Sequence, residues 1–558
     1  MSEPTSNNEA QRGRVLVIGL DGATFDLLLP WLEEESLPHL AEIWRRSSYA
    51  RLRTTIPPIT ASAWTSFQTG KNPGKHGLFD FTQYRPGSYE TPFVNAQSVQ
   101  AEPLWVTLSR HGKRVVVLNV PVTYPPRAVN GYMISGLLTP STRVRFTYPP
   151  DLYQDLVDAI GDYEILVPVR DFLRLGIRGF VDRLCHASEK RKEAAEYLMG
   201  QIDWDFFMVH FHSPDVLQHA LWSHLDRSHR DYPSTADADR KHVRGYYREL
   251  DRMVGSLVKE AGADVTTVLM SDHGFGPARR RFHINQWLAT QGFLTVRADS
   301  WRKRTLDRFE TVLRRIDPHR LRWRVIAPFS KREMLIRRFT QEALIDWTTT
   351  KAFALPSSAV IRLQINRAGR EPSGVVAPGA EYEKIRDEIV QRLLEVRDPD
   401  TGDKVIETVF KREEIYSGSA LELMPDLVAQ PVGGYQIATR FRRNLLFSEL
   451  PEGYTGNHRM EGILLLAGPN IAHGQAMHEA HILDLYPTIL SLLDVPLPPD
   501  LDGRVLAEAL DPDYLQTHPL RWEEQGPTPP SAVHPEQTYS EEDAEEIRDR
   551  LKGFGYLD

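Results

Sequence analysis

The chain has 558 residues, 41% of them hydrophobic and 25% charged, and a formal net charge of -8. This composition predicts a globular protein with a sizeable core, and its weakly acidic balance argues against a dedicated binder of nucleic-acid duplexes. The single cysteine, Cys185, excludes an intramolecular disulfide and a cysteine-rich zinc site. No secretory signal and no bilayer-spanning apolar run are visible, so the expected compartment is the cytoplasm.

Residues 1–13 are polar and predict a disordered arm. Short apolar runs follow that suit strands covered on both faces, as in a parallel sheet. These runs are residues 15–20, 115–120, 206–211, 265–270 and 462–467. Helical patterns separate them, for example at 152–160, 243–261 and 482–493. Strands that alternate with helices predict an α/β fold with a mostly parallel central sheet.

The stretch 293–416 has a different character, with basic helical segments followed by a polar, Gly- and Pro-containing region and a helix near 382–394. We interpret it as a cap lobe inserted into a core formed by 14–292 and 417–522. Residues 523–558 predict a linker and a C-terminal helix, for which Ser540 is a good N-cap because acidic residues follow it. The last residues, 553–557, are a candidate segment to dock back on the core.

Carboxylates and imidazoles cluster where the predicted strands end. Asp21 follows the first apolar run, and Asp272 and His273 follow the run at 265–270. Asp215 and His219 come after the run at 206–211, and their i,i+4 spacing places them on one helix face. In a parallel sheet these positions open onto the carboxyl edge, where ligands bind.

With His458, which precedes the last apolar run, the set comprises three Asp and three His. Each residue alone is weak evidence, since a lone Asp after a strand is more often a helix cap, but the joint pattern is specific. Carboxylates and imidazoles without thiolates suit Zn²⁺ or Mn²⁺, and six ligands are enough for two ions. Two neighbouring ions can clamp the attacking and leaving oxygens of a phosphoryl displacement.

Thr60 is the candidate nucleophile. Pro57 and Pro58 predict an extended approach to a helix that starts at Thr60 or just after it. A hydroxyl at a helix N-terminus meets free N–H groups that favour a phosphate oxygen, and a metal contact would lower its pKa. The alternatives are that Thr60 is only an N-cap, or that Ser62 is the reactive hydroxyl.

Taken together, these motifs resemble the alkaline phosphatase superfamily, in particular its type I phosphodiesterase/nucleotide pyrophosphatase branch and similar phosphohydrolases and phosphomutases. The resemblance rests on Asp21, the segment 60–77, residues 215–219, the Asp-His-Gly at 272–274 and the Gly-Asn-His at 456–458, in family order. Residues 484–490 and Asp502-Gly503 resemble the closing segment of these proteins. The fold implied is an alkaline-phosphatase-like three-layer sandwich.

The resemblance also implies roles. One metal would be held by Asp21, Thr60, Asp272 and His273, and the other by Asp215, His219 and His458. Thr60 would form a phospho-threonine intermediate. Two differences from nucleotide pyrophosphatases put a nucleotide substrate in doubt. Asp80-Phe81 stands where those enzymes carry a phosphate-binding Asn, for which Asn95 is a possible substitute, and Gln218 stands where they often carry Gly.

Further substrate contacts are predicted at Arg280, Arg281 and His283, with a surface loop as the alternative. Residues 302–338 carry thirteen Lys or Arg against four acids, which suits either contact with an anionic membrane or, as we favour, a solvated helix face. The remaining histidines, including His76 and His210, are interpreted as structural.

Three functions are compatible with these residues. The first is a metal-dependent hydrolase of phosphodiesters or phosphomonoesters on a small phosphorylated substrate. A phosphomutase would use the same centre, and the cap lobe would decide between them by admitting or excluding water. The third is a non-catalytic binding protein with a reused metal site. A sulfatase is disfavoured because the segment 60–64 lacks the required C/S-x-P-x-R motif.

Overall fold

The computed structural model describes residues 13–169, 171–297, 344–441, 445–524 and 539–556, without the side chain of Phe554. The predicted arm, apart from residue 13, the basic segment 302–338 and most of the predicted linker lie outside the described residues. Among the described residues, no helix combines the length and apolar character that crossing a membrane requires.

The core is built on a central sheet of nine strands. Val15–Leu20 lies in its middle and pairs in parallel with Phe206–Phe211 on one side and Thr266–Met270 on the other. Of the six other pairings of this sheet, three are parallel and three are antiparallel. Glu461–Ala467 runs antiparallel to both of its neighbours, and Thr147–Tyr148 runs antiparallel to Gly131–Ile134, so five of the eight pairings are parallel. The predicted mostly parallel α/β sheet is therefore confirmed. Its strands in spatial order are Ala480–His481, Ser48–Arg53, Glu461–Ala467, Thr266–Met270, Val15–Leu20, Phe206–Phe211, Val115–Leu118, Gly131–Ile134 and Thr147–Tyr148.

Both faces of this sheet are covered, which explains the uninterrupted apolar runs. Because successive side chains of a strand point to opposite faces, Leu16 and Ile18 join one buried cluster while Val15 and Val17 join another. The first cluster also contains apolar residues of the helices Asp171–Gln201 and Asp237–Ala261. The second contains apolar residues of Thr60–Thr69, Leu104–Arg110 and Leu485–Leu492, so the core has three layers.

The helices follow the predicted alternation with strands, and Leu152–Ile160 has the predicted bounds. The α-helices among the described residues are Phe25–Glu33, Pro38–Arg46, Thr60–Thr69, Pro73–His76, Leu104–Arg110, Leu152–Ile160, Asp171–Gln201, Ser213–Leu225, Asp237–Ala261, Ile284–Thr290, Ala380–Leu394, Arg412–Ile415, Leu485–Leu492, Pro512–Thr517 and Glu541–Phe554.

A second lobe stands on the core with its own apolar cluster. Its antiparallel sheet contains, in spatial order, Ala352–Leu355, Ile361–Ile365, Leu427–Pro431 and Ile406–Lys411. Leu427–Pro431 lies beyond the expected end of the insertion at 416, yet it pairs with two strands of the lobe. The predicted boundary at 416 is therefore too early. A short apolar strand has the same sequence pattern in the core and in the lobe, so the pattern does not show to which of them Leu427–Pro431 belongs.

Three short strands join the lobe to the core. Arg280–His283 pairs with Tyr435–Ala438 and with Phe447–Ser448, so the junction draws on residues from both sides of the insertion. At the other end of the chain, Ser540 caps the helix Glu541–Phe554 as predicted. Ile547, Leu551 and Tyr556 are buried in the core, so the C-terminal segment docks as the sequence suggested.

Candidate metal centre

Two of the predicted motifs lie side by side at the ends of neighbouring strands of the central sheet. Asp21 follows Val15–Leu20, and Asp272 follows Thr266–Met270, its parallel neighbour. Gly22, which turns the chain after Asp21 with a φ of +67°, donates its N–H to Asp272 Oδ1 at 3.2 Å. A side chain at Gly22 would also collide with the Phe275 ring, with a Cβ only 2.9 Å away. This turn therefore needs glycine to bring the two carboxylates together.

The other ligand candidates come from a helix and a short hairpin. Ser213–Leu225 carries Asp215 and His219 one turn apart. His458 lies in Gly456–Arg459, which pairs antiparallel with Gly274–Pro277, the strand that begins at the glycine of the Asp-His-Gly motif. A Cβ at Gly456 would lie 2.4 Å from the Gln218 carbonyl oxygen, so glycine permits the close approach of this strand to the helix.

Thr60 begins the helix Thr60–Thr69 and is fully buried. Ile59, rather than Thr60, is the N-cap, and no side chain caps this helix, so the interpretation of Thr60 as only a cap is not supported. The Thr60 hydroxyl oxygen lies 3.3 Å from His273 Nε2. The alternative hydroxyl, Ser62, instead donates to the Leu78 carbonyl at 3.4 Å.

The predicted ligands converge on one buried cluster. His458 Nε2 lies 3.1 Å from Asp215 Oδ1 and 3.0 Å from His219 Nε2. His273 Nε2 lies 3.4 Å from Asp272 Oδ2, 3.6 Å from Asp21 Oδ1 and 3.9 Å from Asp215 Oδ1. Separations near 3 Å between potential ligand atoms are those expected around a shared cation. The seven residues proposed from the sequence, Thr60 and the six ligands, thus lie together.

Three histidines present the same nitrogen to the cluster. Nδ1 of His219, His273 and His458 faces the carbonyl oxygen of Gly456, Gly274 and Pro58, at 3.2, 3.1 and 2.8 Å respectively. Since a carbonyl only accepts, each Nδ1 is the protonated donor and each Nε2 turns a lone pair toward the site. The Nε2 atoms of His219 and His458 therefore face each other without a hydrogen between them. A metal ion between such lone pairs resolves this conflict.

Burial favours the neutral form of two of these imidazoles. It lowers the pKa of His219 to about 4 and that of His273 to about 3. Neutral imidazole is the form that binds metals.

The carboxylates give the cluster its negative charge. Within the described residues, the ion-pair partners of Asp21, Asp215 and Asp272 are all histidines. Asp21 Oδ1 and Asp272 Oδ2 are buried and have no hydrogen-bond donor among those residues. Burial, followed by the charges of Asp21 and Asp215, raises the pKa of Asp272 well above its ordinary value. Buried carboxylates with no cationic side chain fit divalent cations.

Two further histidines reach this centre. His210 Nε2 lies 2.8 Å and His212 Nδ1 3.2 Å from Asp21 Oδ2. Burial would raise the pKa of Asp21, but hydrogen bonds from these rings outweigh it and hold the pKa well below its ordinary value. The interpretation of all remaining histidines as structural, which covers His210 and His212, does not anticipate their contacts with Asp21. The sequence does carry a sign of these contacts, the His-x-His pattern at residues 210–212, where the strand Phe206–Phe211 ends. His210 pairs with Gly19 in the neighbouring strand, close to Asp21.

The predicted substrate contacts have other partners. Asn95 Oδ1 caps a short 3-10 helix by accepting from the Gln97 N–H at 2.7 Å. Arg280 pairs with Asp398 at 2.6 Å, Arg281 donates to Gln436 at 2.5 Å, and His283 Nε2 lies 2.9 Å from the Ser448 hydroxyl. Contact of these four residues with a substrate stays a prediction.

Two other sequence features acquire local roles. His76 Nε2 lies 2.9 Å from the Ser66 hydroxyl, away from the cluster, as a structural residue would. Gln218 donates to the Gly22 carbonyl at 3.0 Å. It therefore ties the helix that carries Asp215 to the turn after Asp21.

Comparisons with known proteins identify a family and a shared fold. A family model described as type I phosphodiesterase / nucleotide pyrophosphatase matches residues 15–460. Human ectonucleotide pyrophosphatase / phosphodiesterase 5 has a similar structure, with 15% identity, a TM-score of 0.50, and coverage of 89% of this chain and 100% of that chain.

Phosphonoacetate hydrolase from Sinorhizobium meliloti 1021, solved with phosphonoformate, is also similar. It is 14% identical, with a TM-score of 0.53 and coverage of 87% of this chain and 96% of that chain. At these identities the two structures show a shared fold. No curated protein matches the chain.

Proposed function

The chain belongs to the type I phosphodiesterase / nucleotide pyrophosphatase family and is a hydrolytic enzyme, and from this we propose that it cleaves phosphodiesters with Thr60 as the nucleophile. The strongest support for this proposal is that Thr60, three carboxylates and three imidazole Nε2 atoms lie together in one buried cluster.

Two divalent cations would be held by this cluster. Asp21, Thr60, Asp272 and His273 form one donor set, and Asp215, His219 and His458 form the other. The absence of thiolates among these donors favours Zn²⁺, with Mn²⁺ as the alternative. Bound there, the cations would supply Lewis acidity toward the phosphoryl oxygens and lower the pKa of the Thr60 hydroxyl.

Thr60 would carry the covalent step. Its Oγ forms the new bond to phosphorus, the bond from phosphorus to the leaving oxygen breaks, and the electron pair departs with that alkoxide. The hydroxyl proton passes to water. The product is a phospho-threonine, which a water molecule then hydrolyses to regenerate Thr60. The first turn of Thr60–Thr69, with its free N–H groups, would orient the phosphoryl oxygens.

The test is a comparison of Thr60→Ala with Thr60→Ser. We expect Thr60→Ala to lower turnover of bis-p-nitrophenyl phosphate roughly 10³-fold or more, because the nucleophile is lost. Thr60→Ser keeps a hydroxyl and should retain measurable turnover. Metal analysis should find about two ions per wild-type chain. Metal-loaded wild type that cleaves no phosphoryl ester would refute the proposal and favour a binding protein.

Two further measurements refine the reaction. The ratio of turnover on bis-p-nitrophenyl phosphate to that on p-nitrophenyl phosphate separates diesterase from monoesterase activity. Acid quenching during turnover should leave a phosphoryl group on the peptide that contains Thr60, and none in Thr60→Ala. If the phosphoryl group passes to a second hydroxyl of a small phosphorylated substrate instead of to water, the chain is a phosphomutase.

A further inference from the structure

The C-terminal segment places one side chain directly on the metal centre. Tyr556 lies almost a hundred residues beyond the end of the matched family region at 460. Its side chain is 2% exposed. Its hydroxyl donates to Asp215 Oδ2 at 2.5 Å. A residue far outside the family region thus contacts a predicted metal ligand.

The surrounding packing holds the Tyr556 ring in this position. It stacks on Phe81 with ring centroids 4.8 Å apart, and its edge meets His219 at 5.5 Å. Gly555, with a φ of +79°, turns the chain out of the helix Glu541–Phe554, and a Cβ there would lie 2.4 Å from the Tyr454 ring. The turn that delivers the tyrosine therefore requires glycine.

The helix before this turn is anchored on the core by both apolar and polar contacts. Ile547 and Leu551 are buried, and Arg550 donates to the carbonyl oxygens of Thr139 and Pro140 at 2.6 and 2.5 Å. The aromatic ring and the helix together fix where the hydroxyl of Tyr556 can lie.

The two oxygens of Asp215 face different partners. Oδ1 faces the imidazoles, at 3.1 Å from His458 Nε2 and 3.5 Å from His219 Nε2. Oδ2 accepts the hydrogen bond from Tyr556. This division is what one expects of a carboxylate that binds a metal through one oxygen while a hydrogen-bond donor orients the other.

We propose that Tyr556 is a positioning residue of the metal centre: the C-terminal segment 540–556 brings its hydroxyl to Asp215 Oδ2 and orients Oδ1 toward the cation. This inference rests on the two-metal function proposed above, although it concerns metal binding rather than turnover. The competing possibility is that the segment is a plug, with the tyrosine held where metal or substrate must enter.

The experiment compares Tyr556→Phe with a matched control, Tyr539→Phe, in the full-length chain. Tyr556→Phe keeps the ring on Phe81 and removes only the hydroxyl. Tyr539 belongs to the same segment, stacks on Tyr124 and donates to the Leu138 carbonyl at 2.9 Å, so its loss weakens the anchoring without touching Asp215. Zn²⁺ affinity of the chelator-stripped proteins is measured by competition with a fluorescent chelator.

We expect Tyr556→Phe to weaken Zn²⁺ binding about 10-fold or more, since outer partners of ligating carboxylates have effects of this size. Tyr539→Phe should bind Zn²⁺ within about twofold of wild type by the same reasoning. Equal Zn²⁺ affinity of Tyr556→Phe and wild type, or tighter binding by Tyr556→Phe, would overturn the proposal.

Hydrogen exchange of wild type gives a second test that needs no variant. Coupling between two sites is reciprocal, so if the segment supports the metal, the metal must support the segment. Added Zn²⁺ should slow amide exchange in residues 540–556. Faster exchange would show that the metal expels the segment, which is the behaviour of a plug, and unchanged exchange would also contradict the proposal.

These measurements can refute the positioning role of Tyr556 and the proposed hydrolase function separately. If wild type binds Zn²⁺ with an affinity that depends on Tyr556 but hydrolyses no phosphoryl ester, the positioning role stands and the hydrolase proposal falls. If wild type is an active hydrolase and Tyr556→Phe changes neither Zn²⁺ affinity nor activity, the positioning role falls alone.

Discussion

Replacing Asp272 with Asn should stabilise the metal-free protein while weakening its metal binding. In the metal-free cluster, Asp272 lies among carboxylates whose ion-pair partners within the described residues are only histidines. The Asn side chain has nearly the same shape and carries no charge. The same change removes one proposed metal ligand, so stability without metal and affinity for metal should move in opposite directions.

The size of the effect follows from the separation of the charges. The potential ligand oxygens of Asp21 and Asp272 lie within 4.8 Å of each other. At that distance and an effective dielectric constant of about 20, two unit charges repel by about 3 kcal/mol. We therefore expect Asp272→Asn to raise the free energy of unfolding of the metal-free protein by about 3 kcal/mol near neutral pH.

The pH dependence has a defined sign. Burial and the neighbouring carboxylates raise the pKa of Asp272 in the folded chain, so as pH rises the unfolded carboxyl ionises first. Metal-free wild type therefore loses stability from the ordinary carboxyl pKa upward, and Asn does not. The advantage of Asp272→Asn should be small near about pH 5 and grow toward about pH 8.

The assay is thermal unfolding of chelator-stripped wild type and variant across this pH range, with metal content checked. Asp426→Asn is the matched control, because Asp426 is equally buried but pairs with Arg370 at 2.5 Å. Its replacement removes one of the two carboxylates that pair with buried Arg370, which keeps Glu371 at 2.7 Å, and should lower the free energy of unfolding by about 1–3 kcal/mol. If metal-free Asp272→Asn is less stable than wild type at neutral pH, the reasoning about repelling carboxylates is refuted.

Three further outcomes are expected. His210→Asn should weaken Zn²⁺ binding about 10- to 100-fold in a competition titration, since His210 Nε2 lies 2.8 Å from Asp21 Oδ2; unchanged affinity would make His210 purely structural. Gly456→Ala should lower the thermal midpoint, costing about 1–3 kcal/mol because its Cβ would lie 2.4 Å from the Gln218 carbonyl. Gly245→Ala, in open space within Asp237–Ala261, should be neutral or stabilising. Arg281→Ala should raise KM with kcat retained if Arg281 binds substrate, and an unchanged KM would remove it from the substrate contacts.

Part of the centre could be predicted because two of its motifs follow strands whose direction follows from the fold class. Asp21 and Asp272 follow two apolar runs, and parallel strands necessarily bring such residues to one edge. His212 was missed because its closeness to Asp21 depends on which strands are neighbours, and the sequence predicts strands more reliably than their order. The predicted lobe boundary was wrong for a related reason. Only the strand pairing shows that Leu427–Pro431 belongs to the lobe, and the sequence pattern does not reveal that pairing.

Tyr556 marks the limit of sequence reasoning. Its partner Asp215 lies 341 positions earlier, and docking of the segment was expected without the contact that it makes. The contact depends on details that no periodicity encodes, namely a left-handed turn at Gly555 and a ring stacked on Phe81.

The cluster couples the stability of the fold to metal binding. Free metal at about 100 times its Kd would stabilise the native state by about 2.7 kcal/mol, close to the repulsion of about 3 kcal/mol between two of the buried carboxylates. A cation can therefore offset much of the free energy that the fold loses by burying like charges together. On this argument, adding Zn²⁺ should raise the thermal midpoint of wild type clearly and that of Asp272→Asn much less. Equal shifts in the two proteins would place the stabilising cation elsewhere.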